Sequence, residues 1–443
     1  MRRFGKFILL LPLILVSLNA SYSIKPGKRP RSALDHMHFH TLLDMKRVPQ
    51  NMKYYAEQIQ PIPYSKQLAY AKDYINKFFE PWRRDGMHEP QNDLTWQVRF
   101  VQKRTIYDAH KKIIPPKVWR WWIRNSDLEH IDTIKGRAIS IRHTNLRAFP
   151  TDTPAYKDPW KSTEGFPFDY NQNSELHPNV PLYISHYSKD HRWAFVHAGH
   201  AFGWVKLKDI AIVNTKFIKL FQSGHYYITI RDNLYIYHNN KPYSIVKMAT
   251  LFPKSRYTRS LLLATKDAKG NAKIDKIPLP KKSLVSTFPA KFNAHNVAYI
   301  AQQFRGEPYG WGGKLYGRDC SSTTRDFLGC FGIFLNRNSE DQSKEGKRTK
   351  IKGLAKAQKK QAIIKYAKPF RSLLYVPGHI GLYLGHYKNE PIIMHTYWGI
   401  RLNNWNKYTL SRTIVTTTEL GKEHPQIREK SKLINTLKYI INF

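Results

Sequence analysis

The sequence predicts a multidomain chain: a mostly helical N-terminal region, two small all-β barrels, and a C-terminal α+β domain. Three observations predict it. Helical spacing and Trp-rich stretches dominate up to about residue 134. Between 135 and 285, short runs rich in Val, Ile, Tyr and Trp alternate with turn clusters such as "YSKDHRW" (187–193) and "RDNLY" (231–235). That is the spacing of small barrels, with many short strands and no long amphipathic helix. From 286 onward, helical segments precede two short alternating strands, the order of an α+β domain.

The first residues read as an export leader. "MRRFGK" is basic, "FILLLPLILVSL" is an apolar run of 12, and "NASYS" supplies small residues for cleavage after Ala20 or Ser23. The run is too short to span a bilayer, and no cysteine stands near it to carry a lipid anchor. A leader over 1–23 places the mature chain in the periplasm or cell envelope. With 73 basic against 32 acidic residues, the chain carries a formal charge of +41 spread along its length. Such a field favours anionic partners. Export excludes nucleic acid as the principal one and leaves the acidic polymers of the envelope. The 41% of hydrophobic residues excludes wholesale disorder.

Residues 24–134 form the N-terminal region. "DHMHFH" (35–40) sets three histidines at alternate positions. In a strand they would share one face, but a polar surrounding reads as a solvated or groove-packed segment. "SKQLAYAKDYINKFFEPW" (65–82) reads as a helix, with Leu68, Tyr74, Ile75, Phe78 and Phe79 on one face and Pro81 ending it. "KVWRWWIRN" (117–125) continues the aromatic helical material. The two barrels divide near 135–212 and 213–285. Within the first, "RWAFVHAGHAFGWVKLKDIAIV" (192–213) reads as two strands around a turn and a closing piece. In the last domain, 286–443, "NAHNVAYIAQQFRG" (293–306) reads as a helix, and a second helix covers 320–334. "NRNSEDQSKEGKRTKIKG" (336–353) reads as a long polar loop. "HIGLYLGHY" (379–387) and "EPIIMHTYW" (390–398) read as paired antiparallel strands.

The chain has two cysteines, Cys320 and Cys330, ten positions apart on one expected helix. Ideal geometry sets their Cα atoms about 15 Å apart, too far for a disulfide. Cys320 follows a glycine-rich approach at 310, 312, 313 and 317 and opens its helix. Unpaired N–H groups and the dipole at a helix start favour a thiolate. Paired strands would bring His379 and His395 together, one beside the sulfur and one orienting it. A zinc site made from the same three side chains is the alternative at this level.

These segments resemble the NlpC/P60 family of papain-like cell-wall cysteine peptidases. "EPYGWGG" (307–313), "RDCSSTTRDF" (318–327), "PGHIGLYLG" (377–385) and "IIMHTYWG" (392–399) carry the likeness, with Ser322 where the family usually has glycine. "FGIFLNRNSEDQ" (331–342) is similar to a loop of a larger multidomain branch. "FFEPW" (78–82) resembles that branch's N-terminal clip, and "RHTNLRAFPTDTP" (142–154) with 166–205 resembles its first bacterial SH3-type domain. The likeness of the second barrel to an SH3-type domain is weaker.

The resemblance implies Cys320 as nucleophile, His379 as general base, His395 as the orienting residue and Tyr309 as an oxyanion donor. It places Asp319 and Ser321 on the acyl side of the substrate, where an aspartate pairs with the free amine of L-Ala-γ-D-Glu. Capping the helix is the other role open to Asp319. Trp311 is implied to pack the turn. The first SH3-type domain would hold wall polymer or wall the groove. The implied activity is a γ-D-glutamyl–diamino acid endopeptidase acting on peptidoglycan stem peptides or muropeptides. It would need no cofactor or metal and would act as a monomer in peripheral contact with the wall. The competing readings are a wall-binding protein with an inactive peptidase domain, or an amidase or transferase of the same fold.

Overall fold

The computed structural model describes residues 21–443 except position 405, so the predicted leader lies almost wholly outside the described residues. Strand Tyr22–Pro26 opens the described chain. It joins the sheet of the second β unit, next to Leu234–His238 and then Lys241–Val246. The second unit therefore borrows a strand from outside the span 213–285 that its texture predicted.

The N-terminal helical region packs on the units that follow. Helix Tyr64–Phe78 buries Gln67, Ala71 and Tyr74, while Leu68 is 44% exposed. Of the face predicted from apolar spacing, Tyr74, Ile75, Phe78 and Phe79 pack inward and Leu68 alone departs. Gln67 occupies the inner position because its amide donates to the carbonyls of Ala290 (2.6 Å) and Phe331 (3.2 Å). These buried acceptors need a donor more than the face needs a leucine. Beyond the helix, Trp82 inserts into the first β unit and donates from Nε1 to Ala138 O at 2.7 Å. The histidines at 36, 38 and 40 lie off any strand, and His40 stacks on Tyr408.

The first β unit is a seven-stranded antiparallel sheet. Its strands run Gln172–Leu176, Thr144–Arg147, Phe202–Lys206, Trp193–His197, Pro181–Tyr187, Gly136–Ser140 and Ile210–Ile212 across the sheet. Residues 226–287 build the remaining β material. There Tyr226–Thr229 lies between Leu251–Pro253 and Val285–Thr287, and Ser260–Lys266 pairs with Ala272–Pro278. A helix, Thr215–Phe221, joins the two units.

The C-terminal domain sets helices against a six-stranded antiparallel sheet. The sheet order is Lys347–Lys350, Tyr439–Asn442, Ser372–Val376, His379–Tyr387, Glu390–Arg401 and Lys407–Thr417. The span 336–353, expected as loop, holds helix Ser339–Glu345 and strand Lys347–Lys350. Polar composition hid both. The strand forms by pairing with Tyr439–Asn442, far away in sequence, and the helix is pinned by buried Gln342, which bonds Thr324 and Ser321 O. One hydrophobic core runs through all units, from Met52 and Trp82 through Ile139 and Ile228 to Phe327 and Leu382. This shared core fixes the β units against the six-stranded sheet.

Candidate active site

The glycine-rich approach is shaped by the first β unit. Gly312 and Gly313 have φ of +62° and +78°. A Cβ on Gly312 would lie 2.7 Å from Gln172 Cγ, and one on Gly313 2.5 Å from Glu175 Cδ. Strand Gln172–Leu176 therefore presses directly on the turn, which only glycine permits. Gln172 Nε2 donates to Gly312 O at 3.0 Å.

Arg318, Asp319 and Cys320 follow, each held differently. Arg318 is buried, bonding Asp232 of the second β unit with two nitrogens and Asp326 through Nε at 2.9 Å. Nearby, Lys247 joins Glu175 (3.1 Å) to Gly317 O (2.8 Å). Asp319 is the N-cap of helix Cys320–Cys330 and accepts from Ser322 N at 3.0 Å. Ser322 returns the bond by accepting from Asp319 N at 2.9 Å. The serine that replaces the family's glycine thus completes a capping box.

Cys320 is the first residue of that helix and is half-buried; Cys330, at the other end, is fully buried, and both are free thiols. The backbone N–H groups of Ile380 and Ser321 favour the Cys320 thiolate, though less than burial opposes it. Helix Cys320–Cys330 packs against strand His379–Tyr387. Cys320, His379 and Tyr309 line one open cleft of about 720 Å³ together with Phe168, Trp311 and Trp398.

His379 and His395 stand on neighbouring strands, and His379 Nε2 is 2.8 Å from His395 Nδ1. His395 Nε2 is 3.2 Å from Thr416 Oγ1. If each Nε2 carries its proton, the chain runs His379 to His395 to Thr416. His379 Nδ1 then keeps its lone pair for the thiol. Beneath this run, Thr323, Thr396 and Thr413 link their hydroxyls and tie helix Cys320–Cys330 to strands Glu390–Arg401 and Lys407–Thr417.

Burial sets the protonation states. It pushes the Cys320 thiol up to about 12, and the Asp319 charge adds to this. It pulls His379 down to about 3, helped by Lys407. His395 is held well below the usual histidine range by burial and then by His379. The resting pair is a neutral thiol beside a neutral imidazole; desolvation outweighs the helix end that sequence reasoning counted on. Tyr309 is buried and its phenol is held far above its ordinary range by burial, so it remains a proton donor.

Asp319 and Ser321 do not line the cleft. Both are buried. The Asp319 carboxylate accepts from Ser322 N and Ser321 Oγ on one oxygen, and from Gly312 N and Arg337 on the other. Arg337 also donates to Ser321 Oγ (2.9 Å) and Ser174 Oγ (3.1 Å). Of the two roles open to Asp319, the structure displays the cap and a buried ion pair. Trp311 packs on Phe168 and Tyr170 of the first β unit and also faces the cleft.

Sequence reasoning missed Arg337, Thr416 and Phe168. Arg337 sits in the span taken for loop, and nothing local marks it. Phe168 reaches the cleft because its loop is tied down: Asp169 pairs with Arg147 at 2.9 Å and with Lys314 of the C-terminal domain.

A solved structure shares this fold. An NlpC/P60 endopeptidase from Photobacterium damselae subsp. piscicida superposes with a TM-score of 0.78 at 22% identity, over 89% of this chain and 97% of that one. An NlpC/P60 family protein from Bacillus cereus ATCC 10987 matches over 69% of this chain and 99% of its own at 14% identity, with a TM-score of 0.43. No curated protein sequence matches the chain. Three family models do match. Residues 8–130 match the NLPC_P60 N-terminal stabilising domain, 154–206 the SH3 domain of SH3b1 type, and 306–418 the NlpC/P60 family itself. Together with the shared architecture, these matches make the chain a multidomain member of the NlpC/P60 family.

Proposed function

We propose that the chain is an exported cysteine endopeptidase that cuts the γ-D-glutamyl–meso-diaminopimelate bond of peptidoglycan stem peptides. The observation that carries this reading is the 2.8 Å bond between His379 and His395 beside a cysteine that opens a helix. Cys320 Sγ attacks the carbonyl carbon of the γ-D-Glu amide as His379 Nδ1 takes the thiol proton. Tyr309 and the Cys320 backbone N–H receive the charge that develops on the carbonyl oxygen. The imidazolium of His379, oriented by His395, passes its proton to the leaving amine as the C–N bond breaks. Water, deprotonated by the same ring, then releases the acyl group and restores the thiol. The alternative zinc set is disfavoured because the two rings spend facing nitrogens on each other.

The test is digestion of L-Ala-γ-D-Glu-meso-diaminopimelate-D-Ala with mass analysis. The expected products are L-Ala-D-Glu and diaminopimelate-D-Ala. Cleavage at the L-Ala–D-Glu bond instead, or of the glycan–L-Ala amide in larger substrates, would overturn the bond assignment.

The depressed His379 has a kinetic consequence. Its ring is neutral at pH 5 as well as pH 8, so the base is available over that whole range. The acid limb of kcat/KM lies well below the ordinary histidine value of about 6.5. A profile from pH 4 to 9 with an inflection at 6–7 would contradict the neutral resting pair.

Asp319→Asn separates positioning from substrate contact. Asparagine caps helices as well as aspartate, but it leaves Arg337 buried without its charge partner. Stability falls by about 1–3 kcal/mol, read by urea unfolding. The loss of kcat/KM is equal on a free-amine peptide and its N-acetylated twin. A loss confined to the free-amine peptide would put the carboxylate in direct contact with the substrate.

A further inference from the structure

Beyond His379 the cleft is walled by cations. Lys352, Lys407, Lys430, Lys438, Arg401 and Arg428 line it, and no Asp or Glu does among the described residues. The acids of the same segments are turned elsewhere. Glu429, between Arg428 and Lys430, pairs with Lys356 and Lys432, and Glu419 pairs with Lys360. Helix Lys356–Tyr366 is fastened to this wall by Lys359 Nζ, which donates to Ile434 O at 2.8 Å and Asn435 O at 3.1 Å.

Lys407 is the most telling member. It opens strand Lys407–Thr417 directly across from Arg401, cation facing cation in the ladder. Like charges opposite one another destabilise a strand pair. No carboxylate among the described residues pairs with the Lys407 ammonium, which is close enough to His379 to bias that ring's charge. An anion placed beside the Lys407 ammonium would offset its burial and its repulsion from Arg401.

The chemistry fixes which part of a substrate meets this wall. The residue that protonates the leaving amine must face it, and the wall continues from His379 through Val376, Pro377 and Gly378. The first β unit, with Phe168, closes the other side. The wall therefore borders the leaving fragment. Three of its cations, Arg428, Lys430 and Lys438, stand after residue 418, where the segment matched to the family ends. Strand Tyr439–Asn442 pins that C-terminal segment between Lys347–Lys350 and Ser372–Val376.

We infer that this wall is a carboxylate-recognition subsite for the leaving fragment, with Lys407 as its specificity-determining residue. The subsite takes a fragment with a free side-chain carboxylate beside its main-chain one, and rejects the same fragment once that carboxylate is amidated. This rests on the stem-peptide reading of the site.

The test uses the full mature chain and three peptides. They are L-Ala-γ-D-Glu-meso-diaminopimelate, its side-chain amide, and the L-Lys counterpart. Wild type is expected to favour the free diacid by about tenfold or more in kcat/KM, with the difference in KM and shrinking as salt rises. Lys407→Met brings the three peptides within about threefold of one another, while Lys407→Arg keeps most of the preference. Circular dichroism confirms the fold, and Lys430→Gln with Lys438→Gln gives a second, milder variant that also narrows the gap. Equal kcat/KM of wild type on all three, or an equal loss on all three in Lys407→Met, overturns the subsite while leaving the activity intact. No cleavage of any peptide overturns the activity reading and the subsite with it.

Discussion

Cys320→Ala is expected to abolish hydrolysis, with kcat falling at least about 10⁴-fold, the scale seen when one member of a nucleophile–base unit is removed. The fold is expected to survive. Cys320 is half-buried at a helix start whose cap is supplied by Asp319 and Ser322, not by the thiol. Cys330→Ala provides the matched control. That thiol is fully buried in the shared core, 3.7 Å from Thr229 O at its closest polar contact. Its loss costs about 1 kcal/mol of stability and leaves turnover intact. Iodoacetamide distinguishes the two in the native protein, because only Cys320 opens onto the cleft. Alkylation follows exposure here, since burial raises both thiols. Comparable activity in the two alanine variants would remove Cys320 as nucleophile.

Arg318→Ala carries the largest expected effect on stability. The guanidinium is buried between Asp232 and Asp326 and lies over the ring of Phe304 at 4.9 Å. Truncation leaves the buried Asp232 carboxylate without its guanidinium partner, while Asp326 keeps Arg325 at 3.2 Å. Breaking a buried pair in this way costs about 3–5 kcal/mol. Because Arg318 directly precedes the cap and the nucleophile, kcat falls as well. Arg318→Lys retains a charge but not the fork that reaches both carboxylates, so it should recover part of the stability and less of the activity. Urea unfolding of the three proteins gives the ordering. A cost below about 1 kcal/mol for Arg318→Ala would mean that the second β unit does not hold the nucleophile segment.

The parts of the site that local sequence determines were legible. Glycines 310, 312 and 313 announce a tight turn, an aspartate before a cysteine announces a helix start, and the alternation in "HIGLYLGHY" announces a strand that pairs with the one carrying His395. The parts fixed by distant partners were not. Arg337 gains its role only when Asp319, Ser321 and Ser174 converge on it. Strand Lys347–Lys350 exists because Tyr439–Asn442 supplies its ladder. Leu68 points outward because Gln67 has two backbone carbonyls to satisfy. The helix start was expected to favour the thiolate, and burial holds the thiol neutral instead. The cleft joins two separate units, and no stretch of one reveals the desolvation it imposes on the other.

The central claim is that Cys320 carries the acyl group. Rapid-quench intact mass spectrometry of the enzyme with a stem tetrapeptide, followed by peptide mapping, measures it directly. The account predicts a transient adduct with the mass of L-Ala-D-Glu less water, located on Cys320 and absent from Cys320→Ala. Turnover without any adduct under acid quench, together with product formation by Cys320→Ala, would contradict it.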